Sequence, residues 1–155
     1  MKRSKLIYLA TPYTDSCQEV QTYRFHRVTG ASALLLKNGV FNFSPITQSH
    51  EQHMAHSLPG TWDFWSQVDL EFLSRCDELF VLADPGWQDS VGVTAEIKFA
   101  KENNIPVTYF FYDEEESMII KITEQRARKV LQWTQQEKKE ISLTAINRHC
   151  RNYLE

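Results

Sequence analysis

The sequence predicts a single α/β domain built on a parallel sheet of four to five strands. Two observations carry this prediction. The apolar blocks are short and continuous, as in strands that are buried on both faces, and the segments between them repeat their apolar residues at helical spacing. A chain of 155 residues has the usual length of one domain. We assign residues 5–111 to its core and residues 117–155 to a helical C-terminal tail.

In the first half of the chain, two strands flank one helix. A strand over Lys5–Ala10 stops at Pro12, and a helix follows between Asp15 and Lys37. Asn38-Gly39 is a typical end for that helix. A second strand over 40–44 ends at a proline, and the polar residues 46–60 lack clear periodicity, which predicts a loop.

The second half continues the alternation. A helix from Thr61 towards Arg75 precedes a strand over Glu78–Ala83, and a helix over Val93–Asn103 precedes a strand over Ile105–Phe111. Regular alternation of strand and helix is typical of a doubly wound sheet, Rossmann-like or flavodoxin-like. Such sheets bind ligands beyond the carboxyl ends of their strands. Three loops should therefore meet at the site: 11–15, 44–56 and 84–92.

Composition and charge limit the classes of partner. The formal net charge is −3, with 42% hydrophobic and 24% charged residues. This balance argues against a duplex nucleic-acid binder or an anionic-membrane binder, which need clustered lysine and arginine. The apolar run 6–10 is too short for a signal peptide or a membrane span. Three scattered cysteines without a CxxC pair favour reduced thiols, so we expect a cytoplasmic protein without a membrane partner.

The turn before the last predicted helix carries a hydroxyl and a glycine, Ser90 and Gly92. Free amides at a helix start, together with a serine hydroxyl, can hold a phosphate. The segment has neither the GKS/GKT of a Walker A loop nor a GxGxxG pattern. The alternative is an ordinary helix cap at Asp89 or Ser90.

Two carboxylates fall on otherwise apolar helical segments. Glu96 lies about one and a half turns into its helix, where it would either face a ligand pocket or pair with Lys98 or Lys101 on the outer face. Asp69 stands in a largely aromatic segment, an unusual place for a charge. Two carboxylates that face one pocket can cleave a glycosidic bond, since one can attack the anomeric carbon and the other can transfer the proton.

Three histidines recur at intervals of three: His50, His53 and His56. Their spacing matches neither HExxH nor a Cys/His zinc pattern. Histidines that contact substrate or solvent are therefore favoured over a metal site.

Together these segments resemble the nucleoside 2-deoxyribosyltransferase-like superfamily, which includes deoxyribosyltransferases and 2′-deoxynucleoside 5′-monophosphate N-glycosidases. The resemblance rests on three blocks: Ile7-Tyr8-Leu9-Ala10 with Pro12, Asp69 before the strand that follows Asp77, and Ser90-x-Gly92-x-x-x-Glu96 with Ala100. It implies that Glu96 is the nucleophile, that Asp69 supports protonation of the leaving base or binds the sugar, and that Tyr8 lies near the sugar. Ser90 and Gly92 match the loop that holds a 5′-phosphate. Further substrate-binding candidates from the three loops are Thr11, Ser44, His50, Gly86 and Trp87.

The resemblance implies an enzyme that cleaves the N-glycosidic bond of a nucleoside or nucleoside 5′-monophosphate by hydrolysis or transfer. No metal or organic cofactor is expected, because protein carboxylates suffice for this chemistry. Two alternatives stay open: a noncatalytic nucleotide-binding module, and a metal-dependent hydrolase built on the histidines. A homo-oligomer is expected, since relatives complete their pockets with residues from a neighbouring subunit and the tail is rich in apolar residues.

Overall fold

The protein is an α/β domain with a five-stranded sheet, seen here in a computed structural model that describes residues 2–141. The strands are β1 (Ile7–Ala10), β2 (Asn42–Phe43), β3 (Glu78–Leu82), β4 (Val107–Asp113) and β5 (Met118–Ile122). The helices are α1 (Gln18–Lys37), α2 (Pro45–His56), α3 (Trp62–Ser74), α4 (Val91–Glu102) and α5 (Glu124–Ala127), and residues 135–141 are also helical.

The strand order is β2-β1-β3-β4-β5. β1 pairs in parallel with both β2 and β3, and β3 pairs in parallel with β4, whereas β5 is antiparallel to β4. Every residue of β1 and β3 is buried, as the continuous apolar blocks predicted. The predicted count of four to five strands is confirmed, and the sheet is mostly parallel.

Side chains that alternate along the strands enter two separate cores. Ile7 and Leu9 of β1 pack with α1 on one face of the sheet. Tyr8 and Ala10 join α3 and α4 on the other face. The helix that bears Glu96 therefore packs on the sheet face to which Tyr8 points.

The predicted loop over 46–60 is wrong in its first part, where α2 runs from Pro45 to His56. Ser44 caps this helix by accepting a hydrogen bond from the backbone N–H of Thr47, and Pro45 occupies its first turn. Only Pro45 and His50 of the helix are buried. Because most of its surface is polar, its apolar periodicity is too weak to reveal it.

The prediction of helix throughout 117–155 is also wrong, because Met118–Ile122 forms β5 against β4. The acidic turn before it reverses the chain, with Ser117 at a φ of 51°. The run Met-Ile-Ile-Lys-Ile favours a strand once β4 offers a free edge. The part of the predicted tail over 142–155 lies outside the described residues.

Within residues 2–141, no helix is long and apolar enough to cross a membrane.

Candidate active site

A cleft of about 420 Å³ opens at the carboxyl ends of β1 and β3. In a parallel sheet with this strand order, these ends border the position where ligands bind. The cleft is bordered by the loop after β1, by α2, by the start of α3, and by the loop and first turns that lead into α4. Its lining residues are Thr11, Tyr13, Thr14, Ile46, Ser49, His53, Gly60, Thr61, Trp62, Asp63, Trp65, Asp69, Asp89, Ser90, Val91, Gly92 and Glu96.

Glu96 faces the inside of the protein, which decides between the two orientations that the sequence left open. Its side chain lines the cleft and is only 5% exposed. The neighbouring lysines have other partners: Lys98 lies 3.9 Å from Glu102, and Lys101 lies 3.9 Å from Glu124. Glu96 Oε2 is buried and has no hydrogen-bond partner among the described residues. A buried acceptor without a partner is costly, and such groups concentrate at functional sites.

Asp69 reaches the same cleft from α3, where it and Leu73 are the buried residues of the helix. Its side chain is 8% exposed. Burial raises the pKa of Asp69 from 3.8 to about 7, because a low-dielectric surrounding disfavours the charged form. A carboxyl group with this pKa can give up and regain a proton near neutral pH.

The two carboxyl groups influence one another. Burial raises the pKa of Glu96 well above its usual value, and the negative charge of Asp69 raises it further, while the Tyr8 hydroxyl acts in the opposite direction. Neighbouring carboxyl groups that both resist ionisation titrate as a coupled pair. In the empty cleft, burial favours the protonated form of both groups.

Tyr8 lies beneath the cleft on β1, fully buried, and its hydroxyl has no hydrogen-bond partner among the described residues. Burial raises the pKa of this hydroxyl well above its usual value, and the charges of Glu96 and Asp69 raise it further. Tyr8 therefore stays a neutral hydroxyl near the two carboxyl groups and keeps a proton that it can donate to a ligand or to a carboxylate.

The first turn of α4 comes close to Trp62, on the other side of the cleft, at Gly92. A Cβ atom added there would lie 3.3 Å from the ring of Trp62 and 3.7 Å from Glu96 Oε1. Ser90 caps α4 by accepting a hydrogen bond from the Val93 N–H. The cap alternative for Ser90 is thus confirmed, and Ser90 and Gly92 also line the cleft.

Four of the substrate-binding candidates do not line the cleft. Ser44 caps α2, and the His50 ring stacks on Phe25 at 4.1 Å. Trp87 is buried and donates its indole N–H to the Ala127 carbonyl at 2.9 Å. The fourth, Gly86, takes a left-handed φ of 94°. Each of these residues has a structural role in the elements that surround the cleft.

The three histidines are separated by their contacts. His50 Nδ1 lies 2.7 Å from the Tyr13 hydroxyl, and His53 donates through Nδ1 to the Leu58 carbonyl at 2.6 Å. His56 lines a different groove, which includes Gln52, Phe64 and Val68. In the part of the chain that the structure describes, no group of three or more His, Cys, Asp or Glu side chains is placed to hold a metal ion.

The aromatic wall of the cleft was not among the site residues predicted from the sequence. Tyr13, Trp62 and Trp65 all line it. The cluster Trp62-Asp63-Phe64-Trp65 is a signal that was available, since three aromatic residues at a helix start exceed what one core-facing stripe needs. Flat aromatic surfaces beside polar groups are typical of sites that bind ring-shaped ligands.

A family model described as "Domain of unknown function (DUF1937)" matches residues 5–113. The chain belongs to this family. The DUF1937 match covers β1 to β4 and contains every residue that lines the cleft. Its extent is close to the core predicted over residues 5–111. A search of curated proteins finds no match to the chain.

Proposed function

We propose that this DUF1937 domain cleaves the N-glycosidic bond of a nucleoside, through a covalent intermediate between the sugar and Glu96. The observation that carries the proposal is the pair of buried carboxyl groups, Glu96 and Asp69, that share one cleft above the Tyr8 hydroxyl. The flavodoxin-like, doubly wound arrangement is part of the proposal. It is supported by the strand order and by the two cores on opposite sheet faces.

In the first step, the Glu96 carboxylate attacks C1′ of the sugar, and the bond between C1′ and the base nitrogen breaks. Protonated Asp69 gives its proton to the leaving base, which departs neutral. The positive charge that develops on the sugar favours the ionised form of Glu96, although burial disfavours it in the empty cleft. In the second step, water or the nitrogen of another base attacks C1′ and gives its proton to the Asp69 carboxylate, and the bond between C1′ and Glu96 breaks to restore the Glu96 carboxylate.

The aromatic wall supports a planar leaving group. Trp62 and Trp65 come from the start of α3, about two turns and one turn before Asp69. A base stacked on these rings would lie near the proton donor on the same helix. This arrangement favours catalysis over simple nucleotide binding, because a binding module gains nothing from an unpaired buried carboxyl group next to its ligand.

The charge of the cleft favours an uncharged nucleoside over a 5′-monophosphate. Of the described residues that line it, four are acidic and none is lysine or arginine; the acidic ones are Asp63, Asp69, Asp89 and Glu96. The nucleoside monophosphate is the second candidate, since the start of α4 can bind an anion through its first-turn amides. However, Asp89 directly precedes the Ser90 cap and already places negative charge at that helix end.

We therefore expect kcat/KM for a nucleoside to exceed that for its 5′-monophosphate by about tenfold or more, because the phosphate is repelled by the carboxylates of Asp63 and Asp89 in the cleft lining. Free base released from matched pairs of substrates, measured by liquid chromatography, tests this. The Asp63→Asn variant should improve the efficiency with the monophosphate and leave that with the nucleoside nearly unchanged. A preference for the monophosphate in both proteins would show that the start of α4 governs recognition.

We also propose that the protein forms a homo-oligomer through α3. Phe64, Val68 and Phe72 repeat at four-residue intervals along this helix and are 39–47% exposed. Residues at this spacing share one helix face, and an exposed apolar face of this kind is typical of an interface. Trp65 lies both in the groove beside Phe64 and Val68 and in the cleft, so a second copy packed here would border the cleft.

Light scattering should give a mass of at least twice 18.2 kDa, and Val68→Asp should lower it to the monomer value. The surface substitution Glu71→Gln on the same helix is the control. A wild-type mass near 18.2 kDa over a broad range of concentrations would contradict the oligomer.

A further inference from the structure

A buried arginine joins the two loops that border the cleft. Arg24 of α1 is 4% exposed. Its Nη1 donates to the carbonyls of Tyr13 at 3.2 Å and Thr14 at 3.0 Å, and its Nη2 donates to the Pro85 carbonyl at 3.2 Å. Tyr13 and Thr14 lie in the loop after β1, and Pro85 lies in the loop after β3. A single guanidinium group thus fixes the distance between the loops.

The surroundings of Arg24 leave it little room. A Cβ atom at Gly86 would lie 2.6 Å from Arg24 Nη2, so a larger residue there would displace the guanidinium group. Arg24 Nε is buried and makes no hydrogen bond within the described residues. The Asp15 carboxylate, 3.9 Å away, partly balances the charge. A buried cation of this kind stabilises the structure only if its neighbours stay in place.

Residues 127–138, called here the strap, pack over Arg24 and the two loops that it joins. The ring of Trp133 lies over the Arg24 guanidinium group at 5.4 Å and contacts the Tyr23 ring at 5.5 Å. Lys138 Nζ donates to Asp15 Oδ2 at 2.7 Å. Trp133 therefore shields the cation from solvent, and Lys138 holds the carboxylate that balances it.

The strap also binds the loop after β3 directly. The Ala127 carbonyl accepts the indole N–H of Trp87, and the Arg128 carbonyl accepts an N–H from the Gln88 side chain, both at 2.9 Å. Gln132 donates to Asp89 Oδ2 at 2.5 Å. Asp89 is a lining residue of the cleft, so the strap reaches the cleft wall without lining the cleft itself.

We propose that the strap is a positioning element that holds both loops in the arrangement that forms the cleft. It lies outside the residues matched by the family, 5–113, whereas every loop residue that it contacts lies within them. The groups assigned to chemistry stand on β1, α3 and α4, whereas the hydrogen bonds, ion pair and ring contacts of the strap described above go to other residues. Loosening the strap should therefore weaken substrate binding and leave the chemical step unchanged. Only this kinetic consequence rests on the proposed function.

Hydrogen exchange of the full chain tests the strap without reference to activity. Lys138→Met and Trp133→Ala should raise amide exchange in the loops after β1 and β3 by about tenfold or more, and leave β4 unchanged, because the loops open locally. Leu131→Ala is the matched control, since Leu131 lies in the strap but is 80% exposed. Lys138→Arg should restore the wild-type pattern, because it keeps the ion pair. Unchanged loop exchange in Lys138→Met would overturn the proposal, even if Trp133→Ala fails to fold.

Kinetics give the second readout. In a base-release assay, Lys138→Met should raise KM for the nucleoside by about tenfold and keep kcat within about twofold, the pattern of lost binding without lost catalysis. A roughly tenfold fall in kcat with an unchanged KM would instead contradict the proposal that the strap acts by positioning the loops. If no nucleoside releases base at all, the proposed function fails, and the exchange result still decides the role of the strap.

Discussion

Glu96→Gln is expected to lower the rate of base release by about a thousandfold or more, because an amide has the shape of the carboxylate but is a very poor nucleophile. The fold should remain intact. Glu96 Oε2 has no hydrogen-bond partner to lose among the described residues, and burial already disfavours the charge on this side chain. Initial rates with wild-type and variant protein at equal concentration measure the effect, and circular dichroism verifies the fold.

The matched control for this substitution is Glu102→Gln in the last turn of the same helix. Glu102 is exposed and lies 3.9 Å from Lys98, so its replacement should leave activity unchanged. Base release by Glu96→Gln at the wild-type rate would contradict the assignment of Glu96 as the nucleophile.

Asp69→Asn is expected to become more stable than the wild type as the pH rises. Between about pH 4 and pH 7, Asp69 is ionised in the unfolded chain but protonated in the folded protein, whose pKa is about 7. The folded state then binds more protons than the unfolded state, so raising the pH destabilises the wild type. Asparagine does not titrate. A shift of the Asp69 pKa from 3.8 to about 7 lowers the free energy of unfolding of the wild type by about 4 kcal/mol between low and neutral pH. The full loss is reached above pH 7.

Urea unfolding of both proteins from pH 4 to pH 8 measures this difference. Glu71→Gln on α3 serves as the control, because Glu71 is exposed and its replacement should shift stability equally little at every pH. A constant difference between Asp69→Asn and the wild type would contradict a raised pKa of Asp69.

The same substitution should lower base release by about a hundredfold or more, because the leaving base loses its proton donor. For the wild type, kcat/KM should fall as the pH rises above about 7, where Asp69 gives up its proton. This decline should be absent in Asp69→Asn. Full activity of the variant would assign the protonation of the base to another group.

The elements that the sequence could predict are those with strong periodicity or complete burial. β1 and β3 were found because all their side chains are buried, and α1, α3 and α4 agree with their predicted spans to within about three residues. α2 was missed because its helix start, Ser44-Pro45, also fits the end of a strand. β5 was not predicted because its residues form a strand only by pairing with the edge of β4, and this pairing depends on the tertiary fold.

The carboxyl groups of the site were predictable from motif spacing, but their surroundings were not. Glu96 and Asp69 lie in one cleft, as their positions on otherwise apolar helical segments suggested. The pKa of Asp69 depends on burial, which depends on packing that no local pattern describes. The role of Arg24 could not be predicted, because its hydrogen bonds go to backbone carbonyls, which every residue type carries.

The most direct test of the central claim is to trap the glycosyl–Glu96 intermediate. A nucleoside that carries fluorine at C2′ should react slowly, because fluorine disfavours the positive charge on the sugar in both steps. Intact-mass spectrometry of the protein should then show the added mass of one sugar, and peptide fragmentation should locate it on Glu96. Released base together with an unmodified Glu96, or a sugar attached to another residue, would contradict the mechanism.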